Sequence, residues 1–336
     1  MMAVEFRQFA VKLAVPFISQ KGRIDDIRHV MVELTLDGII GRGVSRIDAD
    51  IASRDLDQIR ECVVAETLDD PFGFADRLEL RAARSSLTVA CEVAYFDLLG
   101  KKIGKPTKHF FGSGEPVINT AITIGAASES EMLNAVSKVL DWPIIKPKVR
   151  KEDPAILLDA IRNIYSGEIW VDANGAFDLE TIHSVLPSLA RVGVKVLEQP
   201  FPRGKIDWLS VLRPWPINIA LDEDVDGASS IDKISKSADI INIKLGSCGG
   251  LAKAYETIQA ARRAGLKTII GCRSESVSGV TAAAALAHAT DFADLDGHLD
   301  IGDDPFDGIT INRAVVHRPD VPGIGASIKN GRLVEE

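Results

Sequence analysis

Five short apolar runs between residues 144 and 244 each end in charged side chains: Ile-Ile-Lys146-Pro-Lys148, Val-Asp172-Ala-Asn, Leu-Glu198-Gln-Pro, Leu-Asp222-Glu-Asp and Ile-Asn-Ile-Lys244. A buried strand that delivers a polar residue at its end is the pattern expected where chemistry is done. Asp172, Glu198 and Asp222 end three successive runs, so one open end would gather three carboxylates, which repel one another and shift toward protonation unless countered. A hard divalent cation relieves that repulsion, and Mg2+, with Mn2+ as the alternative, suits three oxygen ligands with positions left for water or substrate. Any one of these acids could instead cap the helix that follows it. Lysine is seldom buried without a partner, so Lys146, Lys148 and Lys244 need a reason to end apolar runs. Beside a dication and one another their ammonium groups are expected to fall from about 10.4 toward the 7–8 of a general base. Salt bridges to the same carboxylates are the alternative.

The even spacing of these runs, 22 to 26 residues, is that of one strand plus one helix repeated. Strand patterns recur at 117–124, 144–148, 168–172, 195–198, 218–221, 240–244, 268–271 and 292–295, with helical patterns such as 129–140, 154–165, 179–191, 251–264 and 277–289 between them. Eight alternations predict a closed parallel α/β barrel, with functional residues at the carboxyl ends of its strands. An open doubly wound sheet is the weaker reading, because no glycine-rich fingerprint follows the first strand. Lys146 and Lys148 share one strand face by the period of two.

Residues 1–112 have another pattern. Val4, Phe6, Phe9 and Val11, then Val30, Val32, Leu34 and Leu36 before Asp37-Gly38, alternate as antiparallel strands around a tight turn. Residues 16–23 form a polar loop, either a surface connection or a substrate lid. A helical pattern follows from 55 to 100, apolar on most faces near its end and stopped at Gly100. An α+β unit over 1–112 is therefore expected, with the boundary at Gly112-Ser-Gly114-Glu-Pro116, the barrel over 113–306, and a tail, 307–336, that packs back on the first unit.

The 336 residues are 46% hydrophobic and 26% charged, the balance of a globular chain. A net charge of −9 disfavours nucleic acid and anionic membrane as partners. Cys62, Cys91, Cys248 and Cys272 have neither zinc-finger nor C-x-x-C spacing, so reduced, buried thiols are expected. With no secretory pattern at the start and no apolar run near 20 residues, the reading is a soluble cytoplasmic protein without a membrane partner.

The order Lys-x-Lys, Asp-x-Asn, Glu-Gln-Pro, Asp-Glu, Ile-Asn-Ile-Lys resembles the enolase superfamily, in its muconate lactonizing enzyme subgroup, and the helix Thr88-Val-Ala-Cys-Glu92-Val-Ala-Tyr-Phe-Asp97-Leu-Leu-Gly100 is similar to that family's last capping-domain helix. The resemblance implies an α+β capping domain over a modified TIM barrel, (β/α)7β, that often assembles into homo-oligomers. It implies Asp172, Glu198 and Asp222 as ligands of one Mg2+ per subunit, with Glu223 as a neighbour. It also implies Lys148 and Lys244 as an acid/base pair on opposite substrate faces, and Lys146 as a helper beside the carboxylate. The shared step is removal of a proton α to a carboxylate through an Mg-stabilised enediolate. A base on each face favours a racemase or epimerase.

The last barrel strand ends Phe292-Ala-Asp294-Leu-Asp296-Gly297, and two acids at i and i+2 can face one side and bind an ammonium group. A helix cap or turn is the plainer reading of this pair. Among similar proteins an Asp-x-Asp here marks dipeptide epimerases, and Thr123 matches a threonine that contacts the peptide. The implied substrate is an L,L-dipeptide inverted at its C-terminal residue. Lys21 and Arg23 resemble a basic loop that favours an acidic second side chain, whereas Asp300, Asp303 and Asp304 would favour a cationic one. The competing expectations are an N-succinylamino acid racemase, o-succinylbenzoate synthase or cycloisomerase of the same subgroup, which the paired acids disfavour, and a non-catalytic ligand-binding barrel, which both lysines disfavour.

Overall fold

The computed structural model describes residues 2–19, 22–64, 66–112, 119–125, 128–151 and 154–329, with the side chains of 15–19 and 22–24 excepted. The alternating N-terminal stretch forms an antiparallel meander of β1 (Ala3–Ser19), β2 (Gly22–Leu36) and β3 (Ile39–Ile47). Asp37 and Gly38 turn the chain at φ 53° and 78°, values that Gly adopts freely and Asp tolerates. Where a polar loop was expected at 16–23, the hairpin runs on. After a register shift between Lys12 and Phe17, backbone pairing continues to Ser19 opposite Gly22. Lys21 lies outside the described residues, and Arg23 is described through its backbone alone, opposite Ile18.

Three helices cover the meander: α1 (Ser53–Val64), α2 (Pro71–Arg81) and α3 (Ser86–Ile103). Val30, Val32 and Leu34 of β2 meet Ile59, Phe74, Leu78, Ala94 and Leu98 in one core. Helix α3 is buried from Leu87 to Gly100 because the sheet takes one side and the barrel the other, which explains its nearly all-round apolar pattern. It can lie this close only because β3 carries Gly41 and Gly43: a Cβ on either would run into the α3 backbone at Ala94 or Ala90. On the opposite sheet face Phe9, Val11, Ile27, Met31 and Val44 pack on Phe306. The later tail also reaches α3, where the Ile324 N–H donates to Asp97 Oδ1 at 2.8 Å.

Eight parallel strands follow: β4 (Ile122–Ile124), β5 (Ile144–Pro147), β6 (Glu168–Asp172), β7 (Val196–Glu198), β8 (Asn218–Leu221), β9 (Ile240–Ile243), β10 (Lys267–Gly271) and β11 (Phe292–Asp294). Their order in the sheet is their order in the chain. Thr120 bridges Ala293 in parallel and the Ala121 N–H donates to Ala293 O at 3.1 Å, so the first strand meets the last and the barrel closes. The connections are α4 (Glu129–Ser137), α5 (Pro154–Ile164), α6 (Leu179–Arg191), a 3-10 segment (Ile206–Leu212), α7 (Ile231–Ile234), the pair α8 (Leu245–Cys248) and α9 (Leu251–Arg263), and α10 (Val277–Ala284). Among the described residues no helix follows β11, so the fold is a (β/α)7β barrel beneath an N-terminal capping unit. Of the predicted boundary stretch, 112–116, Gly112 alone lies within the described residues.

Period two along each strand sets the barrel interior. Ala121, Trp170, Val196, Ala220, Ile240 and Ile269, with Ile144 and Phe292, make an apolar inner layer. Two residues further on stand Thr123, Lys146, Asp172, Glu198, Asp222, Asn242, Gly271 and Asp294. One layer of the barrel is therefore oily and the next is ionic, and the second lies at the carboxyl end.

Candidate active site

Strand order converts sequence spacing into geometry around the mouth. Lys146 and Lys148 come from β5 and the end of that run, Asp172, Glu198 and Asp222 from β6 to β8, and Lys244 from the end of β9. Three strands, β6 to β8, separate β5 from β9 on one side of the barrel and three on the other, which sets Lys148 and Lys244 across the mouth from each other with the three acids on the arc between. Thr123 on β4, and Asp294 and Asp296 at the end of β11, fill the other arc.

Each lysine meets a carboxylate. Lys148 Nζ donates to Asp172 Oδ2 at 2.7 Å and to Asn174 Oδ1 at 2.9 Å. Lys244 Nζ pairs with Asp222 Oδ2. Lys146 Nζ sits at a hub, 2.7 Å from Asp294 Oδ2, 2.9 Å from Glu198 Oε1 and 3.5 Å from Asp172 Oδ2. Exposure separates their possible roles. The Lys146 side chain is 3% exposed, whereas Lys148 and Lys244 keep 16% each, so those two can reach a molecule in the mouth.

The 7–8 expected of the lysines is for a site beside a dication; among the protein groups alone the charge balance runs the other way. Burial does lower the Lys146 and Lys244 ammonium groups, but Asp294 and Glu198 outweigh it at the first, and Asp222 at the second, leaving both above the ordinary lysine range. The acids divide. Burial raises Asp172, yet Lys148 and Lys146 hold it below the usual carboxylate range. Glu198 is raised to about 7, by burial first, with Lys146 pulling the other way. Asp296 also rises to about 7, through burial and then the neighbouring Asp294.

The mouth offers oxygen donors of the kind a hard dication takes. Four buried oxygens without a hydrogen-bond partner come from residues at or near the mouth: Glu198 Oε2, Glu223 Oε2, Asn242 Oδ1 and Asp294 Oδ1. Unmatched buried acceptors are costly, and a cation is what satisfies several at once. Among the described residues the acids do not converge into a ligand set; their remaining oxygens face ammonium groups instead. The acids expected to hold such an ion, Asp172, Glu198 and Asp222, contribute one of these orphaned oxygens, Glu198 Oε2.

Several polar side chains lock this ring, and reasoning from charged residues alone gave them no role. Asn242 Nδ2 donates to Glu198 Oε1 at 3.0 Å, and Gly271 leaves the room, since a Cβ there would strike the Asn242 amide. The Asn174 N–H donates to Asp172 Oδ1 at 3.1 Å. Gln199 accepts from the Asp222 N–H at 3.0 Å and donates to Asp224 Oδ2 at 2.7 Å. Asn174 and Gln199 hold φ of 43° and 39°, a left-handed conformation that costs energy outside glycine and is retained where surroundings enforce it. Their place in Asp-x-Asn and Glu-Gln-Pro was the only signal in the sequence.

On the other arc, Thr123 enters through its backbone: its N–H donates to Asp296 Oδ2 at 2.5 Å. Asp303 accepts from the Lys12 N–H at 2.7 Å, and Asp304 caps α10 by accepting from Ser276 Oγ at 3.0 Å and the Val277 N–H at 2.6 Å. Those two acids hold parts of the fold together. All four cysteines are buried and unpaired, and no helix among the described residues is long and apolar enough to cross a membrane.

Known proteins are similar to this chain in sequence and fold. Residues 131–332 match the family described as enolase C-terminal domain-like. An L-Ala-D/L-amino acid epimerase of Maribacter sp. is 28% identical over 97% of this chain and 99% of its own length. A hydrophobic dipeptide epimerase of a Flavobacteria bacterium is 28% identical over 98% and 99%. The solved dipeptide epimerase of Enterococcus faecalis V583, complexed with Mg and L-Leu-L-Tyr, superposes with a TM-score of 0.88 at 25% identity, covering 96% of this chain and 98% of that one. The chain belongs to the enolase C-terminal domain-like family and is an isomerase of its epimerase and racemase kind.

Proposed function

We propose that the protein epimerises the C-terminal residue of L,L-dipeptides by two-base proton transfer at its α-carbon. The observation that carries this is the diametric placement of Lys148 and Lys244, the two lysines open to the mouth, with three carboxylates between them. In its neutral form one lysine removes the α-proton from one face, and the other returns a proton to the opposite face, which inverts the centre. Mg2+ held by Asp172, Glu198 and Asp222 supplies, when bound, compensation for the second negative charge that develops on the substrate carboxylate. Lys146, fixed on Glu198 and Asp294, presents a further positive charge beside that carboxylate.

The arc opposite the acids supports a dipeptide over an N-acylated amino acid. Asp294 and Asp296 put two carboxyl groups there, which attract an ammonium and repel a succinyl carboxylate. Asp294 is already engaged by Lys146, so Asp296, bound to the Thr123 N–H, is the nearer partner for the ammonium. Relatives of similar identity are named L-Ala-D/L-Glu epimerase and L-Lys-D/L-Arg epimerase, and here Lys21 lies outside the described residues. The capping division at 1–112, with 307–336 returning to it and the barrel at 113–306, belongs to the same reading, as does one metal ion per subunit.

The test is turnover of an L,L-dipeptide library in deuterated water with Mg2+, followed by mass spectrometry. Deuterium should enter at the second α-carbon, and Lys148→Ala and Lys244→Ala should each abolish epimerisation. Epimerisation that survives in either variant rules the two-base assignment out.

A further inference from the structure

A buried carboxylate outside the ring ties the capping unit to the arm that carries Lys244. Glu92 of α3 is fully buried among the apolar residues of that helix. Its Oε2 accepts from the Leu251 N–H at 2.6 Å and its Oε1 from the Ala252 N–H at 2.7 Å, the first two residues of α9. The start of α9 has no side-chain cap of its own, since Gly250 stands at the capping position. A carboxylate from another unit of the fold therefore supplies what a local Ser or Asp ordinarily would. Burial raises Glu92 to about 7 even so, with the two N–H groups pulling it back.

Lys244 is seven residues before Leu251, and every step between is constrained. Lys244 starts the turn α8, where its carbonyl accepts from the Ser247 and Cys248 N–H groups at 3.1 and 3.0 Å. The Gly249 and Gly250 N–H groups then donate to Leu245 O at 2.9 and 3.0 Å, with both glycines at positive φ, 101° and 121°. A Cβ at Gly250 would run into the Glu92 carboxylate, so the segment is shaped to that one side chain. The two base-bearing arms differ in their neighbours: α8 and α9, after Lys244, pack on α3 of the capping unit, whereas α5, after Lys148, packs on the barrel helices α4 and α6.

We infer that Glu92 is a positioning residue for the reaction: by holding the α9 N-terminus it fixes the α8 turn and with it the reach of Lys244, so that docking of the capping unit sets this base more tightly than the other. This rests on the two-base reading. Misplacement of a reacting group by about 1 Å can cost on the order of a hundredfold in rate. The loss should fall on one substrate epimer.

The experiment measures α-proton exchange with deuterated water separately for the L,L and L,D epimers of one turned-over dipeptide. Lys244→Ala first identifies which epimer presents its proton to Lys244. In Glu92→Gln, exchange of that epimer should fall at least tenfold more than exchange of the other. Gly250→Ala, which strikes the same contact from the barrel side, should give the same imbalance, and Glu92→Asp a smaller one, should Glu92→Gln fail to fold. Lys253→Ala removes a different link from α9 to the capping unit, the ion pair with Asp76, and should leave both rates within about twofold. Equal losses for both epimers, or no loss in folded Glu92→Gln and Gly250→Ala, overturn the inference while wild-type exchange and the lysine variants still uphold the two-base reading. Absence of wild-type exchange, or lysine variants that do not separate the epimers, overturns both.

Discussion

Asp294 and Asp296 are two residues apart, yet their surroundings assign them different work. Asp294 Oδ2 is 2.7 Å from Lys146 Nζ in a buried hub, so removing its charge leaves an ammonium short of a partner, a loss typically of ~3–5 kcal/mol in such settings. Asp294→Asn is expected to lower kcat on the order of a hundredfold with dipeptides and N-acylated amino acids alike. Asp296→Asn should instead raise KM for dipeptides at least tenfold while sparing N-acylated substrates. Steady-state kinetics on the two substrate classes checks both, and equal patterns in the two variants refute the division. The carboxylates and lysines were legible in the sequence because a charge at the end of an apolar run is anomalous. The division between Asp294 and Asp296 was not, because it depends on a lysine 148 residues away. Asn242 was equally silent: a neutral amide becomes informative only when the group it touches is known.

Among the elements, β2 and α10 meet through one imidazole. His29 of β2 stacks on Phe9 with ring centroids 5.1 Å apart, and its Nε2 accepts from the Ser276 N–H at 2.9 Å just before α10. Burial first, and then Arg46, push it down to about 3, so it is neutral in the fold. The unfolded chain protonates at about 6.5. Stability from this group is therefore whole above pH 6.5 and declines as pH falls toward 3, by up to ~1.4 kcal/mol per unit. Urea titrations of wild type and His29→Asn between pH 7 and 4 should show the steeper fall in wild type, and parallel curves would contradict the burial argument. Gly43 gives a second test at this scale: Gly43→Val drives a side chain into α3 and should cost several kcal/mol or prevent folding, read by thermal melting. Barrel strands were readable from their period of two. The short helical segments after β7 and β8 were not, since stretches of four to seven residues carry too little periodicity to register.

At the scale of the molecule the ionic ring is a stability liability as well as a site. Glu198 Oε2 is buried without a partner, and a ligand that binds only the folded form stabilises it by about 2.7 kcal/mol at a hundred times its Kd. Addition of Mg2+ to chelator-treated protein should raise Tm, and Glu198→Gln should remove most of that rise. A rise unchanged in the variant would place the ion elsewhere. The layered barrel was visible from spacing alone. The cover that Phe306 gives the first sheet was not legible, because Phe306 meets Phe9 through a contact that local pattern does not encode.

That cover has a consequence for how the chain comes into being. The outer face of the first sheet, with Phe9, Val11, Ile27, Met31 and Val44, finds its cover in Phe306, nearly three hundred residues later. During synthesis from the amino end, the sheet emerges first and must keep an uncovered apolar face in water until almost the whole barrel has been made. A nascent chain stopped before Phe306 should therefore aggregate more readily than the full chain, which sedimentation of the truncated and full-length chains made in the same cell-free extract checks.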